Sequence, residues 1–162
     1  MAKKTAYFGC ILSIAVMCGY IELLIPFNIG VPGIKLGLAN IVPLYMLYKN
    51  GFLPAIAVNT ARVLLCGVLF GNAMSIVYSL CGGTLAIAVM FLIKKIPVFS
   101  AVGVSIAGAV AHNIGQLAAA LAVIGRTAVL YYLPFLVVAG VVTGFLVGLA
   151  AAYLIKRVNL RI

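Results

Sequence analysis

The sequence contains no aspartate, and Glu22 is its single acidic residue. Eleven Lys and Arg stand against it, giving a formal net charge of +10. Without aspartate the chain cannot build a carboxylate-rich Mg²⁺ site. No glycine-rich phosphate loop with a following Lys-Ser/Thr is present, which excludes nucleotide hydrolysis by that route. No Cys/His cluster has zinc spacing. Cys10, Cys18, Cys66 and Cys81 form no C-x-x-C pair and lie inside apolar runs, so they read as small packing residues. No cofactor and no metal are expected. Linkers, low-complexity tails and internal repeats are missing too, so residues 1–162 read as one domain.

The chain is instead rich in apolar side chains, at 67% of its residues. A basic excess in a soluble protein would suggest nucleic acid. Here the charges sit in short clusters between long apolar runs, as in a protein dissolved in a bilayer, and no nucleic-acid partner is expected. A hydrocarbon core of about 30 Å takes about 20 helical residues per crossing. The expected fold is therefore all-α: a compact bundle of six transmembrane helices. The first runs from about Thr5 to Ile25, before the breakers Pro26, Asn28, Gly30, Pro32 and Gly33. The second, from about Leu36 to Tyr48, is short and contains Pro43, which predicts a tilt or kink. The third spans about Pro54 to Phe70, the fourth Ala73 to Ile93, the fifth Pro97 to about Ile124 and the sixth Tyr131 to Ile155.

The basic residues orient this bundle. With the N-terminus inside, Lys3, Lys4, Lys49, Lys94, Lys95, Lys156, Arg157 and Arg161 fall on the inner side. Only Lys35 and Arg126 fall outside, so both termini are expected in the cytoplasm. The first apolar run exceeds a signal-peptide h-region, and no small-x-small site precedes Pro26, so a retained span is expected.

Small residues at four-residue spacing let membrane helices approach closely. Gly140, Gly144, Gly148 and Ala152 form such a stripe. So do Gly103, Ala107, Ala111, Gly115 and Ala119, and also Ser75, Ser79 and Gly83. In the first span Ala2-Ala6-Cys10, Gly9-Ser13 and Ala15-Gly19 have the same spacing, for internal packing or for a partner protein.

Polar side chains inside a bilayer are costly and face the bundle interior. His112, Asn113 and Gln116 make the strongest cluster, with His112 and Gln116 one turn apart. Counted from Pro97, His112 lies about 22 Å into its span, which predicts the outer half of the membrane. Two readings stand for the cluster: interhelical hydrogen-bond glue, or a ligand site open to the outside. Arg62 sits near mid-span beside Asn59, where an unpaired guanidinium is expensive. It suits bidentate recognition of phosphate or carboxylate, or else a structural role. Glu22 lies near the outer end of the first span, at a depth that matches Arg62 poorly. Lys35 and Asn40 flank the start of the second span. The expected substrate-binding set is His112, Asn113, Gln116, Asn40, Lys35, Glu22 and Arg62, with Arg62 at the floor and Lys35 and Glu22 near the mouth.

The string from Pro32 to Ile41, Pro-Gly-Ile-Lys-Leu-Gly-Leu-Ala-Asn-Ile, resembles a signature of the Gx transporter family, also called heptaprenyl diphosphate synthase component I. The likeness continues through Arg62-Val63-Leu64-Leu65 with Gly71, Tyr78 to Gly83, Gly108 to Gln116, Leu133-Pro134 and the Gly140/Gly144/Gly148 ladder. That family in turn resembles the S-components of energy-coupling factor importers. Those are six-helix vitamin binders with cytoplasmic termini and an outward-facing site under the first outer loop. S-components often dock through an Ala-x-x-x-Ala face of the first helix. Here Ala2-x-x-x-Ala6 lies close to the terminus, and deeper pairs use Gly, Ser or Cys.

The resemblance implies a non-enzymatic, substrate-binding subunit of an importer in a bacterial cell membrane. Its partners are the lipid bilayer, a small vitamin- or precursor-like molecule, and a transmembrane coupling protein with ATPases. The alternatives are a non-catalytic accessory to a soluble prenyl synthase subunit in isoprenoid synthesis, or a stand-alone carrier. Prenyl diphosphate synthases hold Mg²⁺-diphosphate on aspartate-rich motifs, which this chain does not possess.

Overall fold

A computed structural model describes residues 2–24 and 37–158. Six α-helices run through it: α1 (Ala2–Leu24), α2 (Ile41–Lys49), α3 (Phe52–Phe70), α4 (Ala73–Ile93), α5 (Ala101–Ile124) and α6 (Leu133–Arg157). Two 3₁₀ turns, Leu38–Asn40 and Thr127–Tyr132, lead into α2 and α6. No strand occurs among the described residues.

Five of the helical segments are long and apolar enough to cross a membrane. Their outer faces carry large apolar side chains such as Leu53 and Val68, each 76% exposed. A water-soluble protein rarely bares so much apolar surface, whereas lipid is its natural neighbour. α2 is not among these five. Its nine residues rise only about 14 Å. Pro43 also proves not to be a mid-helix kink. The helix begins at Ile41, so Pro43 lies in the first turn, where no intrahelical hydrogen bond is lost.

α2 is the centre of the bundle. Val42, Pro43, Leu44, Tyr45, Met46 and Leu47 are all buried, as expected for a helix that is apolar all round. Side-chain bonds fix both of its ends. Tyr7 Oη on α1 donates to Asn50 Oδ1 at 2.8 Å, just beyond the C-terminus of α2. Lys94 Nζ, at the end of α4, donates to Leu47 O at 2.8 Å, and partial burial lowers the pKa of that amine. Tyr45 Oη donates to Val158 O at 3.3 Å, past the end of α6. The start of α1 and the ends of α2, α4 and α6 therefore share one end of the bundle. Lys3, Lys4, Lys49, Lys94, Lys95, Lys156 and Arg157 belong to it. At the opposite end the Tyr20 ring on α1 packs at a tilt against Phe70 of α3, with centroids 4.8 Å apart.

Caps explain the other boundaries. Asn72 and Ser75 form a reciprocal capping box at the start of α4, with Ser75 N donating to Asn72 Oδ1 at 2.8 Å. Ser100 Oγ accepts from Gly103 N at 3.3 Å, so α5 begins at Ala101 rather than at Pro97. Gly125, with φ of 67°, ends α5 in the left-handed conformation that glycine adopts without strain.

α5 packs closely on α6 and on α4. A β-carbon at Gly144 would lie 2.7 Å from the Ile106 backbone, and one at Gly115 would lie 2.9 Å from the Gly82 backbone. Backbones this close explain both glycine seams. On α1 only Ala15 and Gly19 of the small-residue pairs are buried; Ala2, Ala6, Gly9, Cys10 and Ser13 are exposed. The α4 stripe behaves differently from a packing seam, since Ser75, Ser79 and Gly83 line a cavity.

Candidate functional site

The cavity lies inside the bundle and holds about 310 Å³. Its wall along α4 runs from Asn72 to Met90. Six elements contribute polar side chains to it, α6 through Thr143. Glu22 comes from α1, Asn40 from the 3₁₀ turn before α2, and Asn59 and Arg62 from α3. Ser75 and Ser79 come from α4, and Ser105, His112, Asn113 and Gln116 from α5. Six of the seven residues expected from sequence thus face one space. The seventh, Lys35, lies outside the described residues.

Arg62 is 8% exposed and carries the cavity's only cationic side chain among the described lining residues. One Nη2 hydrogen bond goes to Asn59 Oδ1 at 2.8 Å, one turn earlier on α3. Its Nε–H has no hydrogen-bond partner among the described residues. Arg62 stands near the middle of α3, and the cavity lining continues along α4 to Met90.

Glu22 does not pair with Arg62. Its carboxylate accepts the Gly37 backbone N–H on Oε1 and the Ala39 N–H on Oε2, the latter at 3.4 Å. Gly37 has φ of 77°, a left-handed turn at which the Gly37 and Ala39 amides meet one acceptor. Glu22 therefore caps the chain's entry into α2 as well as lining the cavity. The sequence offered no sign of this bond, because its partners are 15 and 17 residues away.

The α5 cluster divides its labour. Asn113 Nδ2 donates to Leu136 O at 2.7 Å, which makes it a fastener between α5 and α6. His112 and Gln116 lean over Gly82 of α4. A β-carbon there would lie 2.8 Å from Gln116 Cγ and 3.1 Å from His112 Cε1. His112 is eleven residues into α5, about 17 Å from its start, rather than the roughly 22 Å counted from Pro97. The four-residue shift of the helix start accounts for the difference.

Gly82 and Gly83 are close-packing positions beside the cavity that sequence reasoning missed. Gly82 receives the α5 side chains, and Gly83 receives the amide of Asn59 from α3. The signal was present in the run from Tyr78 to Gly83, but a glycine pair gives no hint of which neighbour fills its space. Asn59 itself was visible only as a residue sharing the Arg62 face.

Chemically, the arrangement offers one fixed cation, amide and hydroxyl groups, and an imidazole in a confined space. That suits binding of a polar or anionic molecule. Among the described residues no three His, Cys, Asp or Glu side chains come together to hold a metal ion. No match to the chain was found among curated proteins or among solved structures. The family described as heptaprenyl diphosphate synthase component I matches residues 11–154, nearly the whole bundle from α1 to α6. The chain belongs to the heptaprenyl diphosphate synthase component I family.

Proposed function

We propose that the chain is the substrate-binding membrane subunit of an importer of the energy-coupling-factor type, in a bacterial cell membrane. It acts as one transmembrane domain, residues 1–162, that binds a small anionic molecule and relies on partner proteins for energy. The observation that carries this reading is Arg62: a buried guanidinium whose Nε–H has no partner among the described residues, facing a cavity of about 310 Å³. A charge in that position is costly unless something else satisfies it, and an anionic ligand does so. His112, Asn113, Gln116, Asn40, Glu22 and Lys35 complete the binding set in this reading.

All six helices cross the membrane in this reading, α2 with the help of its preceding 3₁₀ turn. The hydrogen bonds at the two ends of α2 support that path. Both termini are cytoplasmic, supported by the basic residues gathered at one end of the bundle. The chain itself is not an enzyme.

A second reading is favoured by the family description, which makes the protein one component of a heptaprenyl diphosphate synthase. There it would be a non-catalytic membrane accessory to a soluble prenyl synthase. Purification in lipid nanodiscs followed by native mass spectrometry separates the two. The importer reading predicts a bound small anion together with a transmembrane coupling protein and ATPases. Recovery of a soluble prenyl synthase would favour the accessory, and recovery of the chain alone, without any small molecule, would defeat both.

A further inference from the structure

We infer that the ligand is an amphiphile, with an anionic head at Arg62 and a short apolar tail that passes Gln116 into a second compartment. This rests on the anion-binding reading given above. The second compartment lies between α4, α5, the 3₁₀ turn Thr127–Tyr132 and α6, and holds about 380 Å³. Leu117, Ala120, Ile124, Val129 and Leu136 supply most of its apolar wall. No charged side chain borders it among the described residues.

The two spaces are neighbours with a common wall. Ser75, Ser79 and Gln116 line both. These are small or flexible side chains, and Gln116 lies over the bare backbone of Gly82, so little bulk divides the spaces. Polarity falls across the wall, from Arg62, Asn59 and His112 on one side to Leu117, Ala120 and Leu136 on the other. A wholly polar molecule would make no use of the apolar groove, whose wall of Leu117, Ala120, Ile124, Val129 and Leu136 suits a hydrocarbon tail. A wholly apolar molecule would leave the guanidinium unsatisfied. A head joined to a short tail meets both demands.

The test uses inorganic phosphate and methyl, propyl and pentyl phosphate as probes, which are short enough to remain in water. Their affinities are measured by calorimetry on the protein in zwitterionic nanodiscs. Each added methylene should tighten binding about two- to four-fold in the native chain. Ala120→Phe and Val129→Phe fill the apolar compartment from two different walls. At least one of them should fold normally, keep the phosphate affinity and lose the gain with chain length. If phosphate binds but the longer probes bind no better, the tail compartment is refuted while the anion site stands. If the gain survives in both filled variants, the tail lies elsewhere and the inference fails. If no probe binds the native chain, the anion-binding reading itself fails and takes the inference with it.

Discussion

The side-chain amide of Asn59 occupies the space that a side chain on residue 83 would need. A β-carbon there would lie 2.5 Å from Asn59 Nδ2 and 3.0 Å from its Oδ1. Asn59 is 1% exposed and accepts the Arg62 hydrogen bond, so Gly83 on α4 indirectly sets the guanidinium on α3.

Gly83→Ala should therefore push Asn59 off Arg62 and destabilise the protein by about 1–3 kcal/mol, the usual cost of overpacking a tight interior. Asn59→Ala should also destabilise, by loss of the buried hydrogen bond. The two effects should be less than additive when combined, because both remove the same contact. Thermal unfolding of the single and double variants in nanodiscs checks this, and strict additivity would show that the residues act independently.

Glu22→Gln tests the cap at the entry to α2. The variant removes the charge that faces the Gly37 and Ala39 amides. A loss of about 1 kcal/mol in stability is expected. Unchanged thermal stability would mean that Glu22 serves the cavity alone.

Side-specific labelling examines the topology. Single cysteines replacing Lys49, Lys95 and Arg126 in a cysteine-free background should label from opposite faces. Positions 49 and 95 should react only from the cytoplasm, and position 126 only from outside. Outside labelling at position 95 would reject the six-crossing path.

Catalysis is expected to be absent. The purified chain with Mg²⁺ should not condense isopentenyl diphosphate onto an allylic diphosphate, because it has no aspartate to hold the metal-diphosphate. Turnover by a contaminant-free sample would overturn this.

Much of the bundle was legible in the sequence, because apolar runs and breakers mark where helices stop. The turn at Gly71-Asn72 and the pair Lys94-Lys95 bound α4 at Ala73 and Ile93, and the structure has the same limits. α2 and the start of α5 were less legible. Their boundaries depend on the left-handed Gly37 and on the Ser100 cap, which an apolar run does not reveal. In the site, His112, Asn113, Gln116 and Arg62 stood out as polar groups in apolar helices. The partners of Gly82, Gly83 and Glu22 did not, because periodicity identifies a face but not the helix that meets it. Ser75 and Ser79 illustrate the same ambiguity: small residues at this spacing serve a helix seam or leave room for a cavity.

The central claim is that the Arg62 cavity binds an anionic molecule, and binding can be separated from folding. The measurement is phosphate affinity together with thermal stability for the native protein, Arg62→Gln, His112→Ala and Gln116→Ala. Arg62→Gln should reduce affinity at least ten-fold, the scale of one charge-assisted hydrogen bond. His112→Ala and Gln116→Ala should weaken binding by a smaller factor, and those two should remain monodisperse with near-native melting. Full affinity in all three variants, or loss only in samples that have misfolded, would contradict the account and leave these polar side chains as fasteners between helices.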